Sequence, residues 1–384
     1  METIKDKPKI VDYFGYDGIR YTGCKLTLEE ISQLRSEWES FVKNDIPQYN
    51  NDFHGKGIVI CAGGLKFLTC AWINIKLLRR NGCTLPVEIW YNSGELNEEV
   101  ILELKKLNVS CKKVEDFHGN SKVGYSIKPF AILNSSFKEV LFLDADNNCI
   151  SDPSWLFLDP HYIETGALFW PDFWKTEPTN PIWKIIMDDD FNEFEQESGQ
   201  ILVNKERCWK ELNLCNYFNE YKSVYYKFIL GDKDTFKFAW KALKTKYFMI
   251  PYPVGHCGYS NSRNERFNKG IAMVQHDTNG NILFIHQNLA KWDIVDNDEI
   301  LWNKIKRFRS NAENFYYPQG FAKLPNGKLA SVFDIDGDVT IEDSDDIIKD
   351  TELFCLKTLS ELRESEFYYR FILWLYIARS RGDI

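Results

Sequence analysis

Residues 139–146 have the sequence EVLFLDAD, in which the apolar run from Val140 to Leu143 is followed at once by two aspartates. A short, uninterrupted apolar run is typical of a strand buried on both faces of a parallel sheet. Because residues i and i+2 of an extended chain point to the same side, Asp144 and Asp146 are expected to emerge together where this strand ends. Such carboxylates suit Mn²⁺ or Mg²⁺, whereas the alternative for the tripeptide is an Asp-rich turn.

The sequence on either side of this strand alternates between apolar strands and amphipathic helices. Strands are predicted at 57–64, 87–91, 110–114 and 139–144, and helices at 26–44, 67–80 and 97–107. Thr27 and Glu30 have the spacing of a capping box at the start of the first helix. This alternation predicts an α/β fold with a mostly parallel central sheet flanked by helices, whose ligands bind beyond the carboxyl ends of the strands.

The second half of the chain is less regular. Two short strands are predicted at 247–250 and 282–286, charged helices alternating with Gly/Asp-rich turns at 295–350, and an apolar closing helix at 366–379. We expect this last helix to dock on the core, with peripheral membrane contact as the alternative. The pattern predicts an N-terminal helical extension (1–54), a central α/β domain (55–294) and a C-terminal extension packing on the core (295–384).

The composition excludes several classes of protein. The chain has 384 residues, a 44% hydrophobic content that supports a core, and a formal net charge of −9 that argues against nucleic-acid binding. No segment approaches the roughly 18 uninterrupted apolar residues of a membrane span, and the polar N-terminus lacks a secretory signal. We therefore expect a soluble protein, cytoplasmic by default. The ten cysteines form no CxxC pair, which predicts buried, reduced thiols.

Several blocks of sequence, in order along residues 53–293, carry a resemblance to a known family. They are GIVICAGG (57–64), SIKPFAIL (126–133), FLDADN (142–147), TGALFWPDFW (165–174), ESGQILVNK (197–205), GDKDTF (231–236), QHD (275–277) and IHQN (285–288). Together they resemble the fungal α-mannosyltransferases typified by the Golgi α-1,3- and α-1,2-mannosyltransferases. The resemblance implies a GT-A fold at 55–294, GDP-mannose as donor, Mn²⁺ as cofactor and retention of the anomeric configuration. Those fungal enzymes are type II Golgi membrane proteins, and a Golgi location here would require targeting by another means.

Roles at the donor and metal sites follow from residue chemistry together with this resemblance. Ala62, Gly63 and Gly64 have little or no side chain, so the backbone can approach a nucleotide closely, or simply turn. Lys128 is either a solvated surface lysine or a point charge that contacts a phosphate oxygen, and the resemblance favours the phosphate contact. His286 ends an apolar strand, where its imidazole is expected to join Asp144 and Asp146 around the metal, with Asp144 also contacting the donor. A satisfied core histidine is the alternative for His286, and His256 and His276 are expected to be structural.

Candidates for the reacting sugar and the acceptor lie in the less regular half. Retaining transfer without an obvious nucleophile calls for an acidic or amide side chain near the oxocarbenium-like centre. The candidates are Glu197, Gln200, Asp232 and Asp234, and one of the two aspartates is expected only to cap a helix. Trp170, Asp172 and Trp174 are expected to form an acceptor wall, unless the tryptophans fill the core.

The leading hypothesis is therefore retaining transfer of mannose from GDP-mannose to a glycan hydroxyl with Mn²⁺. A UDP-hexose donor is an open alternative, because no spacing distinguishes guanine from uracil. A non-catalytic sugar-binding relative is the second alternative. A phosphohydrolase with an Asp-x-Asp nucleophile is disfavoured, because its motif belongs near the first strand of the fold.

Overall fold

The structure is a computed structural model of the chain, and it describes residues 2–8, 12–49, 51–118, 124–259, 269–295, 299–324, 327 and 329–381. The helices are α1 (Glu2–Lys5), α2 (Leu28–Asn44), α3 (Gly64–Arg80), α4 (Glu98–Lys105), α5 (Glu115–His118), α6 (Ile127–Asn134), α7 (Pro160–Thr165), α8 (Pro181–Ile186), α9 (Trp209–Glu220), α10 (Lys222–Tyr225), α11 (Lys233–Ala242), α12 (Asp346–Glu364) and α13 (Glu366–Arg381). Within those residues, no helix combines the length and the apolar character that crossing a membrane requires.

The strands are short apart from β8 and β9. They are β1 (Tyr13–Phe14), β2 (Ile19–Tyr21), β3 (Lys56–Cys61), β4 (Val87–Tyr91), β5 (Val109–Lys113), β6 (Glu139–Asp144), β7 (Asn147–Cys149), β8 (Ala167–Thr176), β9 (Phe194–Asn204), β10 (Phe248–Met249), β11 (Gly255–Tyr259), β12 (Lys269–His276), β13 (Ile282–His286), β14 (Lys304–Phe308), β15 (Phe315–Tyr316), β16 (Gln319–Lys323), β17 (Leu329–Phe333), β18 (Asp336–Gly337) and β19 (Val339–Asp343).

The chain divides into two compact units. Unit 1 comprises residues 1–56, 123–141 and 157–250, and unit 2 comprises residues 57–122, 142–156 and 251–384. The predicted boundaries near residues 54 and 294 stay a prediction. Each unit has strands and helices packed around its own apolar interior.

Unit 1 is built on the long strand β8. Strand β8 pairs antiparallel with β9 and parallel with both β2 and β10, and β1 extends the sheet beyond β2. Helix α2 packs against α8 and α9, and helix α11 packs against α8, α9 and strand β9. Helix α2 starts at the predicted capping box: the Thr27 side chain accepts from the Glu30 amide, and the Glu30 carboxylate accepts from the Thr27 amide.

Unit 2 contains the predicted parallel strands and a second, antiparallel sheet. Strands β3, β4 and β5 pair in parallel, and β6 lies beside β3. This confirms the predicted α/β fold with a mostly parallel sheet flanked by helices. The antiparallel sheet has the order β16-β17-β12-β11-β14-β19. Strand β13 lies off this path and pairs with both β12 and β7.

The stretch at 295–350 differs from the prediction. Its described part forms strands β14 to β19, and the next helix, α12, starts only at Asp346. Charged residues and Gly/Asp turns obscure the alternation of short apolar segments such as LASVF (329–333), which pairs with β16 and, at Phe333, with Gly270 of β12.

The closing helix is confirmed as α13. It buries Tyr368, Phe371, Leu375 and Ala378 and packs against α3 and α4. The peripheral membrane contact considered for this helix stays a prediction. The ten cysteines are all free thiols, and most are buried, as their scattered positions in apolar runs predict.

Candidate active site

The two aspartates of the DxD motif lie where β6 ends. Strand β6 stops at Asp144, whose side chain is 21% exposed, whereas the Asp146 side chain is only 3% exposed. The Nδ2 group of Asn74, on helix α3, donates to the Asp144 backbone carbonyl at 3.4 Å. The two aspartates therefore lie at a strand end, as the sequence predicts, and the Asp144 backbone also contacts helix α3.

His286 reaches these carboxylates through strand pairing. Strand β13 pairs antiparallel with β7, in a register that sets His286 opposite Asn147, the residue after Asp146. The Gln287 amide also donates to the Asp146 carbonyl at 2.9 Å. As a result, His286 Nε2 lies 3.7 Å from Asp144 Oδ2 and 3.4 Å from Asp146 Oδ1. We call Asp144, Asp146 and His286 the DxD cluster.

The donor atoms of the DxD cluster fit a divalent cation. Two carboxylates supply hard oxygen ligands, and the imidazole supplies a nitrogen that Mn²⁺ and related ions accept. Three protein ligands leave open positions that substrate oxygens can take. The chemistry of the residues present is therefore compatible with Mn²⁺ or Mg²⁺, and it does not distinguish between them.

Lys291 was not predicted from the sequence, although it lies beside the DxD cluster. Its ammonium group contacts the Asp146 carboxylate, and it also lies 5.9 Å from the centre of the Phe67 ring. The only available signal was that Lys291 follows His286 by five residues, in the turn after β13. Lys291 adds a positive charge next to the candidate metal ligands.

Asn148 holds the turn that follows Asp146 against the segment after His286. Its Nδ2 donates to the carbonyls of Asp146 at 3.3 Å and Ile285 at 3.1 Å, while its Oδ1 accepts from Trp292 Nε1 at 3.1 Å. Groups that orient metal ligands in this way tune metal affinity.

A cavity of about 650 Å³ lies at the carboxyl ends of β3 and β4. Gly63 and Gly64 line it, and Gly64 has φ +63°, a conformation that favours glycine. Ala62 lies just outside this lining, buried, with its amide donating to the Trp90 carbonyl. The cavity also receives Arg379 from helix α13, which was not predicted from the sequence because it lies far along the chain in the closing helix. The position matches the general binding crevice of parallel α/β sheets.

In unit 1, Lys128 pairs with Asp232. Lys128 Nζ donates to Ser198 Oγ at 3.0 Å and lies 3.4 Å from Asp232 Oδ2, and Ser198 Oγ also donates to Asp232 at 3.1 Å. All three side chains are almost fully buried. The phosphate contact predicted for Lys128 stays a prediction.

Asp234 belongs to a buried ion network that we call the Lys233 network. Its carboxylates are Asp172, Glu195 and Asp234, and its cations are Arg20, Lys233 and Lys237. Lys233 Nζ lies 2.6 Å from both Asp172 Oδ2 and Glu195 Oε2, and Arg20 Nε donates to Glu195 Oε1 at 2.7 Å. Burial alone would raise the pKa of Glu195, but Arg20 and Lys233 hold it well below its ordinary value. For Asp234, burial and the neighbouring Glu195 raise the pKa.

The prediction that Asp232 or Asp234 caps a helix is wrong. Asp232 precedes α11 with φ −79° and ψ −28°, already helical, and its side chain makes no capping hydrogen bond. A capping side chain usually needs an extended backbone at that position. The Asp232 carboxylate pairs with Lys128 instead, and the Asp234 carboxylate accepts from the Gln196 amide at 3.0 Å.

The remaining predicted site residues belong to strands β8 and β9. Glu197 Oε1 accepts from the Gly199 amide at 2.6 Å, and Gln200 is fully buried. Trp170 has no exposed surface, which favours the core interpretation of this side chain, and Trp174 is nearly as buried. Asp172 is bound to Lys233. The catalytic and acceptor roles suggested for these residues stay predictions.

The chain is similar to curated fungal enzymes. It is 27% identical over 326 residues to the α-1,2-mannosyltransferase MNN5 of Saccharomyces cerevisiae, a match covering 67% of this chain and 55% of the relative. It is 30% identical over 281 residues to the α-1,2-mannosyltransferase MNN24 of Candida albicans, covering 59% of this chain and 40% of the relative. The chain therefore spans about half the length of the curated relatives it matches.

A solved structure and a family model also match. The crystal structure of the glycosyltransferase GlyE from Streptococcus pneumoniae aligns with a TM-score of 0.35 and 15% identity, covering 52% of this chain and 46% of that one. The family model described as "Mannosyltransferase putative" matches residues 55–190 and 186–277. Because these two matches together span residues 55–277, more than half of the 384 residues, the chain belongs to this mannosyltransferase family.

Proposed function

We propose that this chain is a retaining glycosyltransferase that moves mannose from GDP-mannose to a glycan hydroxyl with the help of a divalent cation. The observation that carries the proposal is the convergence of Asp144, Asp146 and His286 in a member of a mannosyltransferase family. The relatives described above are named α-1,2-mannosyltransferases, so we propose an α-1,2 linkage.

The cation, Mn²⁺ or Mg²⁺, would be held by Asp144, Asp146 and His286. When bound, it neutralises the charge that develops on the leaving diphosphate. Lys291 contacts Asp146 and would offer its ammonium group to a phosphate oxygen as a second positive charge. Both positive charges would stabilise the transition state more than the ground state, since the charge on the leaving phosphate grows as the bond breaks.

The cavity at the ends of β3 and β4 would take the nucleoside. Its volume, about 650 Å³, falls in the range of roughly 300–1,000 Å³ that is usual for small-molecule sites. Gly63 and Gly64 would let the ligand approach the backbone. The Phe67 ring, which is 43% exposed and lines the cavity, offers an apolar face.

For the reacting sugar we propose Asp232 rather than Asp234. The Asp232 carboxylate pairs with Lys128, for which a phosphate contact is predicted, whereas the Asp234 carboxylate belongs to the Lys233 network. Asp232 would stabilise an oxocarbenium-like centre, with Glu197 and Gln200 as the other candidates.

A binding panel and a transfer assay test the proposal. Thermal unfolding is measured with GDP-mannose, GDP, UDP-glucose, UDP-galactose and UDP, each with and without Mn²⁺, because a ligand of the folded state raises its apparent stability. We expect a Mn²⁺-dependent shift with the guanine compounds and transfer of mannose to an α-mannoside acceptor, both lost in Asp146→Asn. A shift with UDP compounds alone would show that GDP-mannose is not the donor and would overturn that part of the proposal. Binding of GDP-mannose without any turnover would indicate a sugar-binding relative.

A further inference from the structure

The cavity at the ends of β3 and β4 contains a carboxylate that the proposed transfer chemistry does not use. Glu95 lies in the loop between β4 and α4 and lines the cavity together with Asn92 and Ser93 of the same loop. The cationic side chains in the lining are Lys66 and Arg379, and the second carboxylate is Asp293. A carboxylate in the wall of a site proposed for an anionic nucleotide must contact a part of the ligand that donates hydrogen bonds.

The Glu95 carboxylate is held in place by the surrounding backbone. Its Oε2 accepts from the Asn92 amide at 2.7 Å, and the Gly64 amide donates to the Glu95 carbonyl at 2.9 Å. A side chain at position 63 would clash with it, because a Cβ added to Gly63 would lie 2.6 Å from Glu95 Cβ. Glycine at position 63 is therefore needed for Glu95 to occupy this place. Burial raises the pKa of Glu95, and the hydrogen bonds from Asn92 offset part of this effect.

We infer that Glu95 recognises the base of the nucleotide donor and selects guanine. This inference rests on the proposed function, a GDP-linked sugar donor. Guanine presents two adjacent donors, N1–H and the 2-amino group, which match the two oxygens of a carboxylate. Uracil presents a single N–H between two carbonyl oxygens, and those oxygens repel a carboxylate. A bidentate contact of this kind distinguishes bases by about 10- to 100-fold in affinity.

Two other carboxylates near the cavity serve as matched controls. Glu115 holds the same loop, since its Oε1 accepts from the Ser93 amide at 2.9 Å, but it is not part of the cavity lining. Asp293 does line the cavity, and its Oδ1 accepts from the Val295 amide at 2.9 Å. If Glu95 only stabilised the loop, Glu95 and Glu115 substitutions should have similar effects. If Glu95 recognises the base, its substitution alone should change the nucleotide preference.

The test changes the hydrogen bonds that the side chain at position 95 can make with a base. It keeps an oxygen that accepts from the Asn92 amide. Glu95→Gln retains an oxygen for the Asn92 amide but adds an NH₂ donor. That donor matches xanthine, which has a carbonyl in place of the 2-amino group of guanine. Binding of GDP, xanthosine 5′-diphosphate and UDP is measured by calorimetry in the presence of Mn²⁺, for wild type, Glu95→Gln, Glu115→Gln and Asp293→Asn.

We expect Glu95→Gln to bind GDP about 10- to 100-fold more weakly and to bind xanthosine diphosphate more tightly than wild type does. Glu115→Gln and Asp293→Asn should keep the wild-type preference for GDP. An equal loss of all three nucleotides in Glu95→Gln, or an unchanged preference, would overturn the inference and leave the proposed function standing if wild type binds GDP. A change of preference from GDP to xanthosine diphosphate in Asp293→Asn instead would show that Asp293, and not Glu95, recognises the base, and would overturn the inference. Preference of wild type for UDP would overturn both proposals.

Discussion

Two groups of carboxylates in this chain are compensated in different ways. In unit 1, the Lys233 network pairs its three carboxylates with Arg20, Lys233 and Lys237, so the buried charges nearly cancel. In unit 2, the DxD cluster sets two carboxylates against His286 and Lys291. The Lys233 network consists of carboxylates, lysines and an arginine, whereas the DxD cluster also contains an imidazole, and carboxylates beside an imidazole are ligands that a divalent cation accepts.

The largest expected effect is on activity, and it separates the two groups. Asp146→Asn should lower the rate of mannose transfer by about 1000-fold or more, roughly 4 kcal/mol of transition-state stabilisation, because the cation loses a charged ligand. Its free energy of unfolding should change by less than about 1 kcal/mol, since Lys291 is partly exposed and can turn to water.

Initial rates and urea denaturation measure both quantities. Asp343→Asn is the control, because this carboxylate is exposed and pairs with Lys304 at the surface. Retention of full activity in Asp146→Asn would show that the DxD cluster is not the metal site.

The Lys233 network should respond in the opposite way, with a large loss of stability. Lys233→Met leaves Asp172, Glu195 and Asp234 short of a cation, and breaking a buried pair of this kind costs about 3–4 kcal/mol. Urea denaturation gives the free energy of unfolding.

Lys246→Met is the matched control, because the Lys246–Glu164 pair spans 4.0 Å and both side chains are mostly exposed. It should change stability by less than about 0.5 kcal/mol. If Lys233→Met lowered the free energy of unfolding as little as this control does, the Lys233 network would not stabilise the fold.

The contrast extends to two histidines on neighbouring strands. His286 belongs to the DxD cluster, whereas His276 is buried on β12 and burial lowers its pKa to about 4. Because the folded pKa lies below the ordinary value near 6.5, the unfolded chain binds more protons between pH 6.5 and 4. Stability should therefore fall by about 3 kcal/mol as the pH falls through this window.

His276→Asn should remove that part of the acid sensitivity, because asparagine does not titrate. Free energies of unfolding at pH 7, 5.5 and 4 test this, with the exposed His161→Asn as control. Equal pH profiles for wild type and His276→Asn would show that His276 charges freely in the folded state.

The smallest expected effect is stabilisation by the metal itself. Mn²⁺ at ten times its dissociation constant should raise the apparent free energy of unfolding by about 1.4 kcal/mol, and EDTA should reverse the change. The increment should vanish in His286→Ala and persist in His276→Asn. A full increment in His286→Ala would place the cation away from the DxD cluster.

Features set by neighbouring residues were predictable from the sequence. The capping box at Thr27, the strands ending at Tyr91 and Asp144, and the closing helix all depend on patterns within a few residues. The strands between Lys304 and Asp343 were not, because each is short and several depend on pairing with segments far along the chain. The same reason applies to Asp232, whose carboxylate pairs with the distant Lys128 and does not cap the helix that it precedes.

The sequence by itself therefore determined the class of fold, the strand that carries the two aspartates and the kinds of side chain that a metal site needs. Tertiary structure alone decided that His286 lies opposite Asn147, that Lys291 contacts Asp146, and that Glu95 lines a cavity also reached by Arg379. These pairs are separated by more than 100 residues. Local propensity carries no information about which strand register or helix packing brings such distant side chains together.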